Sequence, residues 1–209
     1  MQTQNSSVAR HPTLFRWLHI AFVSSILLLI LTGFYIHIPF VGGGGFFMSL
    51  TRGVHFFFAG VLIISVIIRI PGMFFGRNHD WSAFVPTFYD VKIFPKILKY
   101  YTYLGPEAKT KKKYNPMQMV SYCAVFVLIL FQIISGIALV HPDGGMAWFT
   151  YGIFGNPVVV RMVHYIVNWC FVLFIMIHAY LALREDPIEI ENMYLLGKTE
   201  EEAEKVHKK

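Results

Sequence analysis

Residues 16–38 read RWLHIAFVSSILLLILTGFYIHI, and no Asp, Glu, Lys or Arg follows the first residue of this run. At a rise of about 1.5 Å per residue, a helix of this length crosses the roughly 30 Å of hydrocarbon in a bilayer. Three further runs have the same character, so the predicted spans are 17–38, 53–75, 117–140 and 158–183. The sequence predicts an all-α membrane protein, a four-helix transmembrane bundle that forms one domain over residues 1–209.

Composition supports this class. Of the 209 residues, 56% are hydrophobic and 14% are charged, and the mean hydropathy is +0.53. These values are typical of an integral membrane protein rather than of a water-soluble domain. The first run is too long for a cleaved signal peptide and lacks a small-x-small cleavage site behind it, so we expect it to remain as a span.

The formal net charge of +6 does not indicate nucleic-acid binding, because the basic residues are unevenly distributed. Half of the 18 Lys and Arg residues lie from Arg69 to Lys113, whereas the two short connections between spans carry only Arg52 and Arg161. Cytoplasmic loops carry such an excess of positive charge. We therefore expect both termini and the middle loop, 76–116, on the cytoplasmic side of a bacterial or archaeal inner membrane.

Part of the middle loop, roughly 89–104, is amphipathic. One helical face carries Lys92, Lys96 and Lys99, and the other is apolar; its residues are Ile93, Ile97, Tyr100 and Leu104. A basic helix that lies under anionic lipid headgroups fits this pattern. The alternative is a solvated loop that packs on the bundle. Pro95 is expected to bend or end any helix here.

Three of the four spans begin with Arg-x-x-His. The pairs are Arg16 with His19, Arg52 with His55, and Arg161 with His164, and His178 follows His164 by fourteen residues. Ionisable side chains are costly inside a bilayer and indicate a functional site there. Four imidazoles on three helices are what two bis-histidine haems in a helical bundle require.

The predicted topology pairs these histidines by depth. His19 and His178 lie near the inner face, and His55 and His164 lie near the outer face. His164 and His178 are both on span four, and at 1.5 Å per residue they are about 21 Å apart. The sequence thus predicts an inner haem on the first pair and an outer haem on the second. A hydrogen-bonded packing role is the alternative for any single histidine. His37 and His141 end outer halves of spans and could replace or gate the outer pair.

The haems would be b-type. The chain has no Cys-x-x-Cys-His sequence, and its two cysteines are too few to hold an iron–sulfur cluster.

The arginines that precede the histidines lie one helical turn nearer the water. Arg16, Arg52 and Arg161 could therefore pair with haem propionates, or they could extend to phosphate headgroups.

Six stretches resemble the b-type cytochrome subunit of membrane-bound nickel–iron hydrogenases, a cytochrome b561-like family, and the related cytochrome b subunit of formate dehydrogenase. They are FRWLHIAF with LTGFYIHIPF (15–22, 31–40), RGVHFFFAG (52–60), GRNHDWSAFVP (76–86), YNPMQ (114–118) and MVHYIVNWCFVLFIMIHAYLALRED (162–186). The last stretch is most typical of the hydrogenase branch, whereas YNPMQ is closer to the formate dehydrogenase pattern.

This resemblance implies two haem b groups held by the four histidines, an iron–sulfur-containing catalytic partner on the outer face, and a site for menaquinone or ubiquinone near the inner haem. It assigns Asn115 to the quinone; a helix N-cap is the other role open to this residue. The chain would transfer electrons within a respiratory oxidoreductase complex, which could form a higher oligomer, and its partner would do the substrate chemistry. The alternatives are a formate dehydrogenase or sulfur-compound reductase subunit, a stand-alone quinone-linked oxidoreductase, and an anchor or transporter without haem.

Overall fold

The computed structural model describes residues 13–40, 45–75, 87–106, 116–185, 190 and 193. Five α-helices occur within these ranges, and no strand does. They are α1 (Thr13–His37), α2 (Phe46–Phe75), α3 (Phe88–Tyr101), α4 (Pro116–Val140) and α5 (Pro157–Glu185). By length and composition, α1, α2, α4 and α5 can each cross a membrane. The prediction of an all-α protein with four spans is confirmed.

The second span begins earlier than predicted. Helix α2 starts at Phe46, not at Gly53, and therefore contains Arg52. The backbone carbonyl of Gly45 accepts the amide of Ser49 at 3.2 Å, and Gly45 has φ +74°, which suits glycine. A single arginine near the end of a span does not interrupt the backbone hydrogen bonds, so the helix continues past Arg52 toward its N-terminus at Phe46.

The chain divides into two compact units, residues 1–69 with 168–209 and residues 70–167. In the first unit, Leu18, Ile30, Leu62, Val66 and Phe171 are buried. Most other apolar side chains of the spans are partly or largely exposed, as expected of helices that lipid would surround.

In the second unit, the segment after α4 folds back on the helix ends. Phe149 is buried with Ala138 and Val160. The neighbouring Trp148 is 61% exposed. Helix α5 then begins at Pro157, capped by Asn156, whose Oδ1 accepts the amides of Val158 and Val159 at 2.9 and 3.0 Å.

Helix α3 occupies the amphipathic stretch of the middle loop and contacts α4. Asp90 is buried, and its Oδ2 accepts hydrogen bonds from the Thr87 amide at 2.7 Å and the Thr87 hydroxyl at 2.6 Å. This arrangement closes the N-terminus of the helix. The helix continues through Pro95, so proline does not end it. Its placement at a lipid surface stays a prediction.

Candidate cofactor site

His55, on α2, is held by a hydroxyl group of α1. The Oγ1 atom of Thr32 lies 2.8 Å from Nδ1 of His55. The same Oγ1 donates to the carbonyl of Leu28, one helical turn earlier, at 2.6 Å. Because Nδ1 is engaged in this way, Nε2 is the ring nitrogen left to bind a metal.

His164, on α5, has the same arrangement with α4. The Oγ atom of Ser135 is fully buried, lies 2.7 Å from Nδ1 of His164 and donates to the carbonyl of Phe131 at 2.7 Å. Gln132 adds a second link, because its Nε2 donates to the backbone carbonyl of His164 at 3.2 Å. The ring and the backbone of this histidine are therefore both tied to α4.

A glycine follows each of these hydroxyl residues and lies beside the imidazole. A Cβ atom added to Gly33 would be 3.8 Å from Cε1 of His55, and one added to Gly136 would be 3.7 Å from Cε1 of His164. No side chain therefore separates either ring from the neighbouring backbone. Gly60, by contrast, has open space around the same position, with nothing within 4 Å.

His19 and His178 are brought together within the first unit. Their ring centres are 6.5 Å apart, with 52° between the ring planes. A metal ion held between two imidazole nitrogens, at about 2.0–2.1 Å from each, would set the ring centres roughly 6 Å apart. Phe174, one turn before His178, stacks on its ring at 5.4 Å and 16°. The separation therefore suits a shared axial metal.

The residues of the first unit also include an orphaned polar group of the kind that a bound cofactor or water would satisfy. Asn168 is 8% exposed, and its Nδ2 has no hydrogen-bond partner among the described residues. Both terminal atoms of this amide lie 3.9 Å from the position of a Gly33 Cβ, beside His55. Leaving a buried amide unsatisfied costs about 1–3 kcal/mol.

Other metal chemistry has less support in the described part of the chain. No group of three or more His, Cys, Asp or Glu residues there could hold a bare metal ion. A haem iron needs only two axial ligands from the protein, because the porphyrin supplies the other four. The histidine geometry, the glycines and the orphaned amide fit a haem.

The three predicted propionate partners differ in their surroundings. Nε of Arg16 donates to the backbone carbonyl of Met193 at 3.3 Å, whereas Arg52 and Arg161 are exposed. A fourth arginine, Arg69, lies over the ring of Phe15, with its guanidinium carbon 4.2 Å from the ring centre. A role for any of them at a propionate stays a prediction.

Two further predictions concern Asn115 as a quinone-binding residue and His37 and His141 as alternative haem ligands. Asn115, assigned to a quinone, lies outside the described residues. His37 and His141 are exposed at helix ends, whereas His55 and His164 are partly buried and held by hydroxyl groups. This difference favours His55 and His164 over His37 and His141 as metal ligands. Because His55 and His164 belong to different units, their pairing at one haem stays a prediction.

Sequence reasoning missed Thr32, Ser135, Gln132 and Asn168. A signal for two of them was present: a hydroxyl residue directly before a glycine occurs as Thr32-Gly33 and as Ser135-Gly136, each within an apolar span. Nothing in the sequence marked the orphaned amide.

Comparison with known proteins agrees with this chemistry. The family described as prokaryotic cytochrome b561 matches residues 10–194, and the chain belongs to this family of membrane-embedded b-type cytochromes.

Among its relatives is a probable Ni/Fe-hydrogenase B-type cytochrome subunit of Rhizobium leguminosarum bv. viciae, 29% identical over 78% of this chain and 74% of the relative. The corresponding protein of Azotobacter vinelandii is 28% identical over 81% and 77%. The Ni/Fe-hydrogenase 1 subunit of Escherichia coli K12 is 24% identical over 89% and 88%. The predicted resemblance is confirmed.

Proposed function

We propose that this chain is the di-haem b cytochrome subunit that anchors a hydrogenase in the membrane and passes electrons between it and the quinone pool. The observation that carries the proposal is the 6.5 Å separation of the His19 and His178 ring centres. These residues lie on the first and last spans of a chain that belongs to a b-type cytochrome family. A haem supplies a one-electron carrier to such a site.

The chain's own residues bind and orient the carriers in this proposal. His19 and His178 are the axial ligands of an inner haem, and His55 and His164 those of an outer haem. The glycines beside His55 and His164 leave room for a flat macrocycle against the helix backbone. Arg16, Arg52 and Arg161 neutralise propionates at the two interfaces. Apolar side chains exclude water from the irons and thereby help to set their potentials.

The relatives support the partner assigned here, because their names describe subunits of Ni/Fe-hydrogenases. The partner would be an iron–sulfur-containing catalytic subunit on the outer face of an inner membrane. The quinone, menaquinone or ubiquinone, would bind near the inner haem, with Asn115 as a hydrogen-bond donor and the cytoplasm as the proton source.

Haem counting tests the cofactor assignment. The full chain, purified from membranes, should contain two haem b per chain by pyridine haemochromogen assay. His19→Ala and His178→Ala should each leave one haem, the same one, because both remove the inner site. His37→Ala is the matched control, since His37 is exposed at the end of α1, and it should keep two. Two haems in His19→Ala or His178→Ala would contradict the assignment.

Copurification tests the partner. The tagged chain, extracted from its native membranes in mild detergent, should bring down a subunit that contains nickel and iron by metal analysis. A molybdenum or tungsten protein would instead identify a formate dehydrogenase or sulfur-compound reductase. Quinone reduction by the isolated chain, with no partner present, would favour the stand-alone oxidoreductase.

A further inference from the structure

We propose that Thr32 and Ser135 are positioning residues for the axial ligands His55 and His164. Each hydroxyl accepts the Nδ1–H proton of one imidazole, which fixes Nε2 as the iron-binding nitrogen and lowers the midpoint reduction potential of that iron. This inference rests on the proposed function, because it assumes that His55 and His164 are haem ligands.

The positions of the protons determine the direction of both hydrogen bonds. A hydroxyl group has one proton to donate. Thr32 donates to the Leu28 carbonyl at 2.6 Å, and Ser135 to the Phe131 carbonyl at 2.7 Å. With the hydroxyl protons assigned to these carbonyls, the contacts of 2.8 and 2.7 Å to Nδ1 of His55 and His164 are assigned as donated by the imidazoles. This assignment places the ring proton on Nδ1 and makes Nε2 the iron-binding nitrogen.

The same device occurs independently in the two units. Thr32 and His55 belong to the first unit, and Ser135 and His164 to the second. In each unit a hydroxyl residue accepts the ring proton, and the glycine that follows it lies against Cε1 of that ring. The hydroxyl restrains rotation of the imidazole, and the glycine leaves free the space in which a side chain larger than a methyl group would meet the ring.

Two other serines of the spans make the carbonyl hydrogen bond without this contact. Ser24 and Ser65 each donate to the carbonyl four residues earlier, at 2.8 Å, as Thr32 and Ser135 do. Neither hydrogen-bonds to a histidine within the part of the chain that the structure describes. The bond to the carbonyl is therefore an ordinary feature of these helices, and Thr32 and Ser135 contact an imidazole in addition to it.

The electronic consequence follows from ligand basicity. An imidazole that donates its Nδ1–H is a stronger electron donor through Nε2. A stronger donor stabilises ferric over ferrous iron and lowers the potential. Removing either hydroxyl should therefore raise the potential of the haem that its histidine binds, without affecting the haem of His19 and His178.

A redox titration of the purified full chain, followed at the haem absorbance bands, tests this. In Thr32→Val and in Ser135→Ala, one of the two midpoints should move positive while the other is unchanged. For this one-electron couple, a midpoint potential that is 59 mV more positive increases the ferrous-to-ferric ratio tenfold at a fixed ambient potential. Thr32→Ser keeps the hydroxyl and should keep the wild-type midpoint. Ser24→Ala and Ser65→Ala are matched controls and should move neither midpoint.

The outcomes separate the two proposals. A wild-type chain that binds no haem would defeat the proposed function. A wild-type chain with two haems whose midpoints are unmoved in both Thr32→Val and Ser135→Ala would overturn this inference alone. Loss of one haem in Thr32→Val with retention in Thr32→Ser would support it, because the hydroxyl would then hold the ligand. If both Thr32 variants fail to fold, Ser135→Ala, on a different helix, decides the matter by its midpoints.

Discussion

At the scale of single residues, His55 and His164 are restrained in the same way. Nδ1 of His55 lies 2.8 Å from the hydroxyl of Thr32, and Nδ1 of His164 lies 2.7 Å from the hydroxyl of Ser135. In the proposed function, Nε2 of each ring is the atom that binds iron, and the hydroxyl contact holds the ring in one orientation.

Substitutions at Gly33, Gly60 and Gly136, which all lie within long apolar helices, should differ in their effect on haem content. Gly33→Leu and Gly136→Leu put a bulky side chain where a Cβ would already be 3.8 and 3.7 Å from an imidazole carbon. Each should displace the ring and reduce haem to one per chain. Gly60→Leu meets open space and should keep two haems, as measured by pyridine haemochromogen assay. Equal haem loss in all three variants would show that the imidazole contacts are not the reason for the loss.

A tyrosine of the segment between α4 and α5 should titrate at unusually high pH. The hydroxyl of Tyr151 donates to Oδ1 of Asp143 at 2.9 Å, and this hydrogen bond raises the pKa of the phenol above its ordinary value of about 10. The hydrogen bond to Asp143 requires a neutral phenol. Its contribution to the stability of the folded chain is therefore complete below the ordinary pKa of tyrosine and is lost as the pH rises through the raised pKa of Tyr151. Because the group is exposed, the effect on stability is small.

Ultraviolet titration of the phenols measures this shift. The difference between wild type and Tyr151→Phe isolates the ionisation of Tyr151. In Asp143→Ala the same ionisation should begin at lower pH, because the carboxylate acceptor is gone. An unchanged titration midpoint in Asp143→Ala would contradict the assignment.

At the scale of elements, capping residues determine where the helices begin, and a charged residue such as Arg52 does not. Asn156 before Pro157 starts α5, and Gly45 precedes α2, whereas Arg52 does not interrupt α2. In α3, the buried Asp90 and Thr87 close the first turn. The helix passes through Pro95, which contributes no amide to its hydrogen bonds.

The basic face of α3 should respond to lipid charge. Lys92, Lys96 and Lys99 are exposed, and each lysine near an anionic surface contributes about 1 kcal/mol of attraction. Hydrogen exchange of residues 88–101 should therefore be slower in nanodiscs with anionic lipid than in zwitterionic ones. Replacing all three lysines by Gln should abolish this difference. A lipid dependence that survives the replacement would favour a loop held by the bundle alone.

At the scale of the whole molecule, transfer from the partner to the quinone along the proposed route would move electrons from the outer face inward, against a negative-inside potential, and the reverse transfer would move them outward. A full crossing is opposed by about 2.3 kcal/mol per charge for each 100 mV, or roughly a fifty-fold change in equilibrium constant. The redox drop from partner to quinone must exceed this cost, so turnover in a sealed membrane would build the potential.

Reconstituted vesicles that contain the complex should show this opposition. Quinone reduction should accelerate when an uncoupler collapses the potential, and a potential-sensitive dye should report charge movement during turnover. In detergent, where no potential exists, the uncoupler should have no effect. Quinone reduction that proceeds at the same rate in sealed vesicles with and without uncoupler would place both ends of the electron path on one side of the membrane.

The sequence by itself determined the four spans and the four histidines within them. Apolar run length and composition are local properties, and a bilayer requires every span to satisfy its own backbone hydrogen bonds. For that reason α1, α4 and α5 begin within a few residues of their predicted starts.

Only the tertiary structure decided which polar groups face the imidazoles. Gly33, Gly60 and Gly136 are alike in the sequence, yet only Gly33 and Gly136 lie beside a histidine. Thr32 and Ser24 are both hydroxyls of α1, yet only Thr32 reaches a ring. These distinctions depend on how each helix is rotated toward its neighbour, and in a nearly uniform apolar span no local pattern fixes that rotation.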